Sequence, residues 1–187
     1  MFARSERLLL RPGWAEDAPA LARAIADEAV VRNLATAPWP YSVGDAEAFL
    51  SREIDPRLPH CVITARTNGS PRLIGGIGIG NDPAGNVELG YWIARPYWGL
   101  GYATEAGRVF LEAVRGTLRH RNLVAGHFLD NPASGHVLRK LGFRPTGRTV
   151  QRFSLARGNT AACAIYAHAA DTNRPDCDDD MRCLKAA

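Results

Sequence analysis

Short apolar runs recur along the chain and are separated by polar or Gly/Pro-rich segments. Runs of this length, bounded by turn residues, predict β-strands. The predicted strands span residues 7–12, 61–67, 73–79, 87–93 and 123–129, a segment opening at Phe143, and residues 160–169. The turns at residues 68–71 and 81–86 are short, so the second, third and fourth strands are expected to be consecutive and antiparallel.

Apolar residues at helical spacing predict helices between these strands. The predicted helices span residues 16–34, a short segment from Gly44 with Asp45 as its N-cap, residues 103–118 and residues 132–141. The first is expected to break at Asp27-Glu28. Asn131 as N-cap, Pro132 at the first helical position and Gly142 just past the end are typical boundaries for the last helix.

The order of these elements predicts one α/β domain with a mixed sheet. The strand at residues 123–129 follows a strand–helix crossover, so it is expected to lie parallel to the strand at residues 87–93. We expect the domain to cover residues 1–170. Residues 171–187 are polar and are expected to form a C-terminal tail.

Composition narrows the function class only a little. The 187 residues are 46% hydrophobic and 22% charged, which is ordinary for a soluble globular domain. The net charge of +4 is mild and spread along the chain, so it suits an anionic small ligand without pointing to nucleic acid. Without an apolar run long enough to span a bilayer, and with four cysteines at no metal-binding spacing, a cytoplasmic protein with free thiols is expected. A membrane or nucleic-acid partner and a metal are not expected.

The segment from Trp98 to Glu105 joins a predicted strand to a predicted helix. Gly99 and Gly101 allow positive φ angles and a close approach of the backbone to a ligand. The first turn of the helix would present unpaired N–H groups and the positive end of its dipole. The segment therefore predicts an anion-binding turn suited to phosphate.

Two stretches, taken together, are similar to one family. The first is Glu88-Leu89-Gly90-Tyr91-Trp92-Ile93 followed by Tyr97-Trp98-Gly99-Leu100-Gly101-Tyr102-Ala103-Thr104-Glu105-Ala106. The second is Asp130-Asn131-Pro132-Ala133-Ser134 followed by Leu138-Arg139-Lys140-Leu141-Gly142-Phe143. Over residues 5–170 the chain resembles the GNAT superfamily of acetyltransferases, and within it the branch of ribosomal-protein N-terminal (alanine/serine) acetyltransferases. Both motifs are specific for the superfamily and poorly specific for the acceptor.

The resemblance implies a twisted mixed sheet of about six to seven strands flanked by helices. It implies that acetyl-CoA, the expected co-substrate, binds where two central parallel strands separate, with its pyrophosphate on the anion-binding turn. The residues implied in binding it are Trp92, Ile93, Trp98, Gly99, Leu100, Gly101, Tyr102, Ala103, Thr104 and Asn131. Backbone N–H groups near Trp92 and Ile93 would polarise the thioester carbonyl.

The resemblance also implies Ser134 as a catalytic residue. Many family members carry a Tyr seven residues after the Asn of the second motif, where it protonates the leaving thiolate. Leu138 stands at that position here and cannot donate a proton. The ribosomal branch has a Ser three residues after the Asn, and Ser134 stands there. Ser134 would then donate to the sulfur, unless it only caps its helix turn.

Glu88 is the candidate base, because it lies on the strand next to the expected thioester; the alternative is a salt-bridge carboxylate. Glu105 is expected to be structural, at the positive end of its helix. His127 is expected to be a packed or exposed strand side chain and not a functional residue. Cys61 and Cys163 are expected in the core. Asn131 would either bind pantetheine or only cap its helix.

The predicted function is acetyl-CoA-dependent N-acetyl transfer to a primary amine, either a protein N-terminus or a small molecule. Another acyl donor such as succinyl-CoA, or a non-catalytic acyl-CoA-binding module, are the alternatives. The aromatic, proline-rich loop at residues 35–42 would be a lid over the site or a buried anchor. A homodimer is left open. The acidic residues of the tail, Asp176, Asp178, Asp179 and Asp180, are expected to be solvated.

Overall fold

The computed structural model describes residues 1–53, 55–66, 69–120 and 122–168. The strands of the described part are β1 (Ala3–Arg4), β2 (Leu8–Arg11), β3 (His60–Ala65), β4 (Arg72–Asn81), β5 (Val87–Ile93), β6 (Leu123–Phe128), β7 (Arg144–Ser154) and β8 (Asn159–His168). The helices are α1 (Ala18–Ile25), α2 (Glu28–Val31), α3 (Val43–Leu50), α4 (Tyr102–Leu118) and α5 (Pro132–Lys140), with 3₁₀ turns at Ala15–Asp17 and Arg95–Tyr97. The predicted tail at residues 171–187 lies outside the described residues.

The strands form one mixed sheet in the order β1-β2-β3-β4-β5-β6-β8-β7. The pairs β3–β4 and β4–β5 are antiparallel and β5–β6 is parallel, which confirms both sequence predictions about strand direction. The mixed α/β class is confirmed too. Eight strands form among the described residues instead of the six to seven expected, because the two-residue β1 adds to the edge beside β2. So short a strand shows no alternation from which it could be predicted.

The sheet is covered by helices on both faces, and each face has its own apolar core. On one face, α4 presents Phe110, Leu111 and Val114 to the inward side chains of β2 to β6. On the other face, α1 buries Leu21 and Ile25 together with residues of α2 and α3. Because side chains alternate along each strand, every strand can contribute residues to both cores. The same alternation decides which residues can reach a site on either face.

Three predicted helix boundaries can be compared with the structure. The first helix does break, because Asp27 accepts a hydrogen bond from the N–H of Ala29 and so caps a separate α2. Asp45 as an N-cap is wrong. Ser42 is the N-cap of α3, and Asp45 lies at the third helical position, where it accepts from the Ser42 N–H in a capping box. Spacing alone did not separate these two roles.

The ends of α5 are as predicted. Asn131 is its N-cap, Pro132 its first residue, and Gly142 lies just past the end with φ of +88°. The N–H of Phe143 then bonds back to the carbonyl of Leu138, which turns the chain into β7. These local signals fix α5 against the end of β6.

Candidate active site

The parallel strands β5 and β6 separate after a short contact. They pair only at Glu88↔Val124 and Leu89↔Ala125, although β5 continues to Ile93 and β6 to Phe128. On its β6 side, the backbone of residues 90–93 therefore has no strand partner among the described residues. We call this opening the interstrand groove. An extended ligand with amide groups can pair there as an added strand would.

The turn between β5 and α4 lies at the end of the interstrand groove. Gly99 and Gly101 have φ of +76° and +81°, which confirms that the turn uses the left-handed region favoured by glycine. Gly101 is the N-cap of α4, and no side chain of the described residues caps this helix. The first N–H groups of a 17-residue helix are thus left for an anion.

Arg7 and Glu105 hold this turn in place. Glu105 accepts hydrogen bonds from the Ser5 hydroxyl at 2.6 Å and from the backbone N–H and Nε of Arg7 at 3.1 and 2.7 Å. Arg7 also donates to the Leu100 carbonyl and lies over the Tyr102 ring. Although partial burial acts in the opposite direction, the Ser5 and Arg7 contacts keep the pKa of Glu105 below its ordinary value. Its place in this network fits the structural role expected for it.

Trp98 closes the turn from the other side. Its indole N–H donates to the carbonyl of Ile93 at 2.6 Å, and the guanidinium of Arg95 lies 4.6 Å from its ring. Trp98 remains 42% exposed. Its ring therefore contacts the last carbonyl of β5 and still presents a free surface to a ligand.

The first turn of α5 brings Ser134 to the groove, where it meets Tyr91 of β5. The two hydroxyl oxygens are 2.8 Å apart, and the Tyr91 hydroxyl also lies 3.1 Å from the Ser134 carbonyl. Burial raises the pKa of Tyr91 to about 12, so its hydroxyl stays protonated at neutral pH. When Tyr91 donates to the Ser134 hydroxyl oxygen, the Ser134 hydroxyl keeps its own hydrogen for another acceptor. Sequence reasoning gave Tyr91 no role, since no local spacing links it to Ser134.

Asn131 serves the backbone of α5. Its side-chain oxygen lies 3.4 Å from the N–H of Ser134, in the N-cap position. This confirms the capping role and fixes the first turn that carries Ser134.

A cleft of about 540 Å³ opens on the opposite face of the sheet, over β3, β4 and β5. Its floor is rich in glycine, and its walls come from α1, α3 and the loop before α3. The aromatic side chains that line it are Tyr41, Phe49, His60 and Trp92, whereas the side chain of Tyr91 points to Ser134 on the other face. Gly90, Tyr91 and Trp92 line this cleft and also form the separated part of β5. The cleft and the interstrand groove therefore meet at residues 90–92.

Glu88 lies in this cleft as half of an ion pair. Its Oε1 is 2.5 Å from Nη1 of Arg152 on β7, and about a fifth of each side chain is exposed. The carboxylate thus takes the salt-bridge arrangement that was the alternative to a base. Sequence reasoning could not place Arg152, which lies 64 residues away.

The loop at residues 35–42 forms one rim of the cleft and is tied to the tip of the β7–β8 hairpin. The buried Ser154 hydroxyl donates to the Leu34 carbonyl at 2.8 Å, and the Leu155 N–H donates to the Ala35 carbonyl at 2.9 Å. Trp39 and Tyr41 remain partly accessible, and the Trp39–Pro40 bond is cis. The loop therefore lines the cleft while anchored at its beginning.

The remaining candidates are packed. Nδ1 of His127 lies 2.8 Å from the Phe128 carbonyl, and its ring contacts Tyr166. Cys61 and Cys163 are buried free thiols, which confirms the core assignment. Among the described residues there is no helix able to span a membrane and no cluster of potential metal ligands.

A family model for the acetyltransferase (GNAT) domain matches residues 7–144. The chain belongs to the GNAT acetyltransferase family. No protein of curated function matches the sequence.

Solved structures with the same fold as this GNAT chain are similar over nearly its whole length. A GNAT-family acetyltransferase from Bacillus anthracis is 20% identical with a TM-score of 0.73, covering 90% of this chain and 98% of that one. The ribosomal-protein-S5-alanine acetyltransferase from Vibrio fischeri is 16% identical with a TM-score of 0.76, covering 94% and 100%. A ribosomal L7/L12 alpha-N-protein acetyltransferase in complex with coenzyme A is 18% identical with a TM-score of 0.71, covering 91% and 99%.

Proposed function

We propose that this GNAT chain is an acetyl-CoA-dependent N-acetyltransferase that acts on a primary amine by direct attack in a ternary complex. The observation that carries the proposal is the position of residues 90–92, which border the interstrand groove on one side and the cleft on the other. A donor in the groove and an acceptor in the cleft would meet there. In this arrangement the amine would attack the thioester directly, and no covalent enzyme intermediate would be needed.

The groove has features that suit acetyl-CoA. The uncapped N-terminus of α4 and the positive-φ turn supply N–H groups for the pyrophosphate, from Gly99 to Thr104. A side chain at Gly99 would find no protein atom within 4 Å, so the turn faces open space. The β6-facing backbone of residues 90–93, apart from the Ile93 carbonyl that Trp98 occupies, suits the pantetheine amides and the thioester oxygen. When bound, acetyl-CoA supplies the activated acetyl group.

Ser134 is proposed as the acid that protonates the departing thiolate. Its hydroxyl lies at the groove in a first helical turn held by Asn131. The neutral Tyr91 hydroxyl, 2.8 Å away, orients it. Leu138, at the position of the family's Tyr, is fully buried and has no proton to give.

The acceptor is proposed to be a primary amine, either of a protein N-terminus or of a small molecule. An α-amine has an ordinary pKa of ~8, so about a tenth is neutral at pH 7, whereas a lysine-like amine at ~10.4 needs more assistance. The aromatic lining of the cleft favours acceptors that carry an apolar or aromatic group next to the amine.

Release of free CoA thiol from acetyl-CoA tests this function. The purified protein is assayed with a panel of short peptides with free N-termini, arylalkyl amines and diamines. We expect turnover well above hydrolysis with at least one class, and one acetylated amine per thiol released. Tight binding of acetyl-CoA without turnover on any amine would instead support an acyl-CoA-binding module. Faster turnover with succinyl-CoA than with acetyl-CoA would identify a different acyl donor and leave the proposed mechanism unchanged.

A further inference from the structure

His60 lies at the start of β3 with its ring over the glycine floor of the cleft. His60 pairs with Gly78 on β4, and Gly78 pairs with Gly90 on β5, so the three form a row across the sheet. A side chain added at Gly78 would collide with Nδ1 of His60, which shows that the imidazole leans over this glycine. Because neighbouring strands are about 4.8 Å apart, the ring covers much of the distance to residues 90–92.

No side chain of this row separates the imidazole from the meeting point of the two sites. Gly90 has open space above it, with no atom within 4 Å of a built Cβ position. The row therefore leaves room for one small group between His60 and β5. An acceptor nitrogen placed there would have the imidazole on one side and the interstrand groove on the other.

Glu88, the nearest carboxylate on β5, is already held by another partner. Its Oε1 accepts a charge-assisted hydrogen bond from Arg152 at 2.5 Å. The pair also joins β5 to β7 under the cleft. Glu88 thus has a structural task that His60 does not share.

The groups around His60 keep its imidazole neutral. Phe49 of α3 packs edge-on at 6.2 Å, and Arg52 follows the same helix. Although His60 keeps an exposed part, its partial burial, and then the charge of Arg52, lower the pKa of His60 below its ordinary value. Asp45 and Tyr41 face the cleft from α3 and its preceding loop, and Glu88 faces it from β5 in its pair with Arg152. A neutral imidazole has a lone pair available at neutral pH.

We propose that His60 is the general base that removes the proton from the acceptor amine, an inference that rests on the proposed N-acetyl transfer. The amine nitrogen bonds to the thioester carbonyl carbon while the carbon–sulfur bond breaks. The surplus proton on nitrogen passes to a ring nitrogen of His60, and the thiolate takes a proton from the Ser134 hydroxyl. The imidazolium of His60 then gives up its extra proton, and the Ser134 oxygen regains one, through water. The net change is amine plus acetyl thioester to amide plus thiol.

The test measures kcat against pH at saturating amine for wild type, His60→Gln and Glu88→Gln, with the peptide or arylalkyl amine that the wild type turns over fastest. His60→Gln should lower kcat by about 100-fold and remove the acid limb of the wild-type profile. Arg52→Gln should move the midpoint of the acid limb upwards, because it removes a positive charge that lowers the pKa of His60. Glu88→Gln should lower kcat less than His60→Gln and keep the limb. Since His120 contacts the Arg57 carbonyl and lies outside the cleft, His120→Gln should match the wild type.

Two further measurements separate the base role from damage to the fold. His60→Gln should keep the wild-type acetyl-CoA affinity, and imidazole added to His60→Ala should recover part of the lost kcat. A His60→Gln enzyme with wild-type kcat and pH profile overturns the assignment, as does loss of the limb in Glu88→Gln instead. If the wild type acetylates no amine of the panel, the proposed function fails and His60 loses its role with it.

Discussion

The interstrand groove and the cleft are made in different ways. The groove consists mostly of backbone: the unpaired edge of residues 90–93, the positive-φ turn and the first turns of α4 and α5. The cleft has a glycine-rich floor on β3 to β5 and walls of side chains from α1, α3 and two connecting segments. A ligand common to a whole family can be held by backbone, whereas an acceptor that differs between members must be held by side chains.

This difference predicts separable effects of substitution. Changes at the groove should alter donor affinity or the release of the thiol for every acceptor. Changes at the cleft should alter the acceptor KM and leave the donor affinity unchanged. The following predictions are ordered by the size of the expected effect.

Ser134→Ala should cause the largest loss at the groove. Without the hydroxyl the thiolate has no acid, and kcat should fall about 100-fold while acetyl-CoA affinity changes little. Steady-state kinetics with calorimetric binding measure both. Ser134→Thr keeps a hydroxyl and should recover much of the rate, and Tyr91→Phe should cost less than Ser134→Ala. Unchanged turnover in Ser134→Ala would remove the acid role.

Gly101→Val should weaken acetyl-CoA binding by at least about tenfold. A β-branched residue at φ of +81° is strained, and the turn that presents the N–H groups must shift. Gly85→Val is the matched control, because Gly85 has φ of +83°, open space around it and a place in the turn before β5. Both variants should lose similar stability to urea. Equal acetyl-CoA affinity in the two would contradict the assignment of the turn.

Ser154→Ala should give a smaller effect, confined to the cleft. It removes the buried hydroxyl that joins the β7–β8 hairpin to the Leu34 carbonyl, at a cost of about 1 kcal/mol in the free energy of unfolding. The acceptor KM should rise a few-fold. Thr146→Val removes a more exposed hydroxyl on β7, bonded to the Ile165 carbonyl, and should leave the acceptor KM unchanged. A rise in the acetyl-CoA Kd of Ser154→Ala would link the cleft rim to the groove.

The same difference explains which parts could be predicted from the sequence. The turn at Gly99 to Gly101 and the caps of α5 depend on neighbours in sequence, and the parallel β5–β6 pair follows from the order of the elements; all three were predicted. The contacts that shape the chemistry join distant segments: Tyr91 with Ser134, and Glu88 with Arg152. The hydrophobic periodicity of a sequence does not indicate which distant residues come into contact.

His60 shows most clearly where sequence reasoning stops. It stands one residue before a predicted strand, and no motif marks it. Only the registers of β3 with β4 and of β4 with β5 place it in a row with Gly90. Likewise, Ser42 and Asp45 offer the same chemistry three residues apart, and only the backbone geometry assigns the cap.

Hydrogen–deuterium exchange with and without acetyl-CoA tests the division between groove and cleft most directly. Acetyl-CoA should slow exchange in peptides covering residues 90–104 and 131–138, and leave the cleft wall at residues 35–52 unchanged. Adding an accepted amine should then protect residues 35–52. Protection of the cleft wall by acetyl-CoA alone, with no change at residues 99–104, would contradict the account.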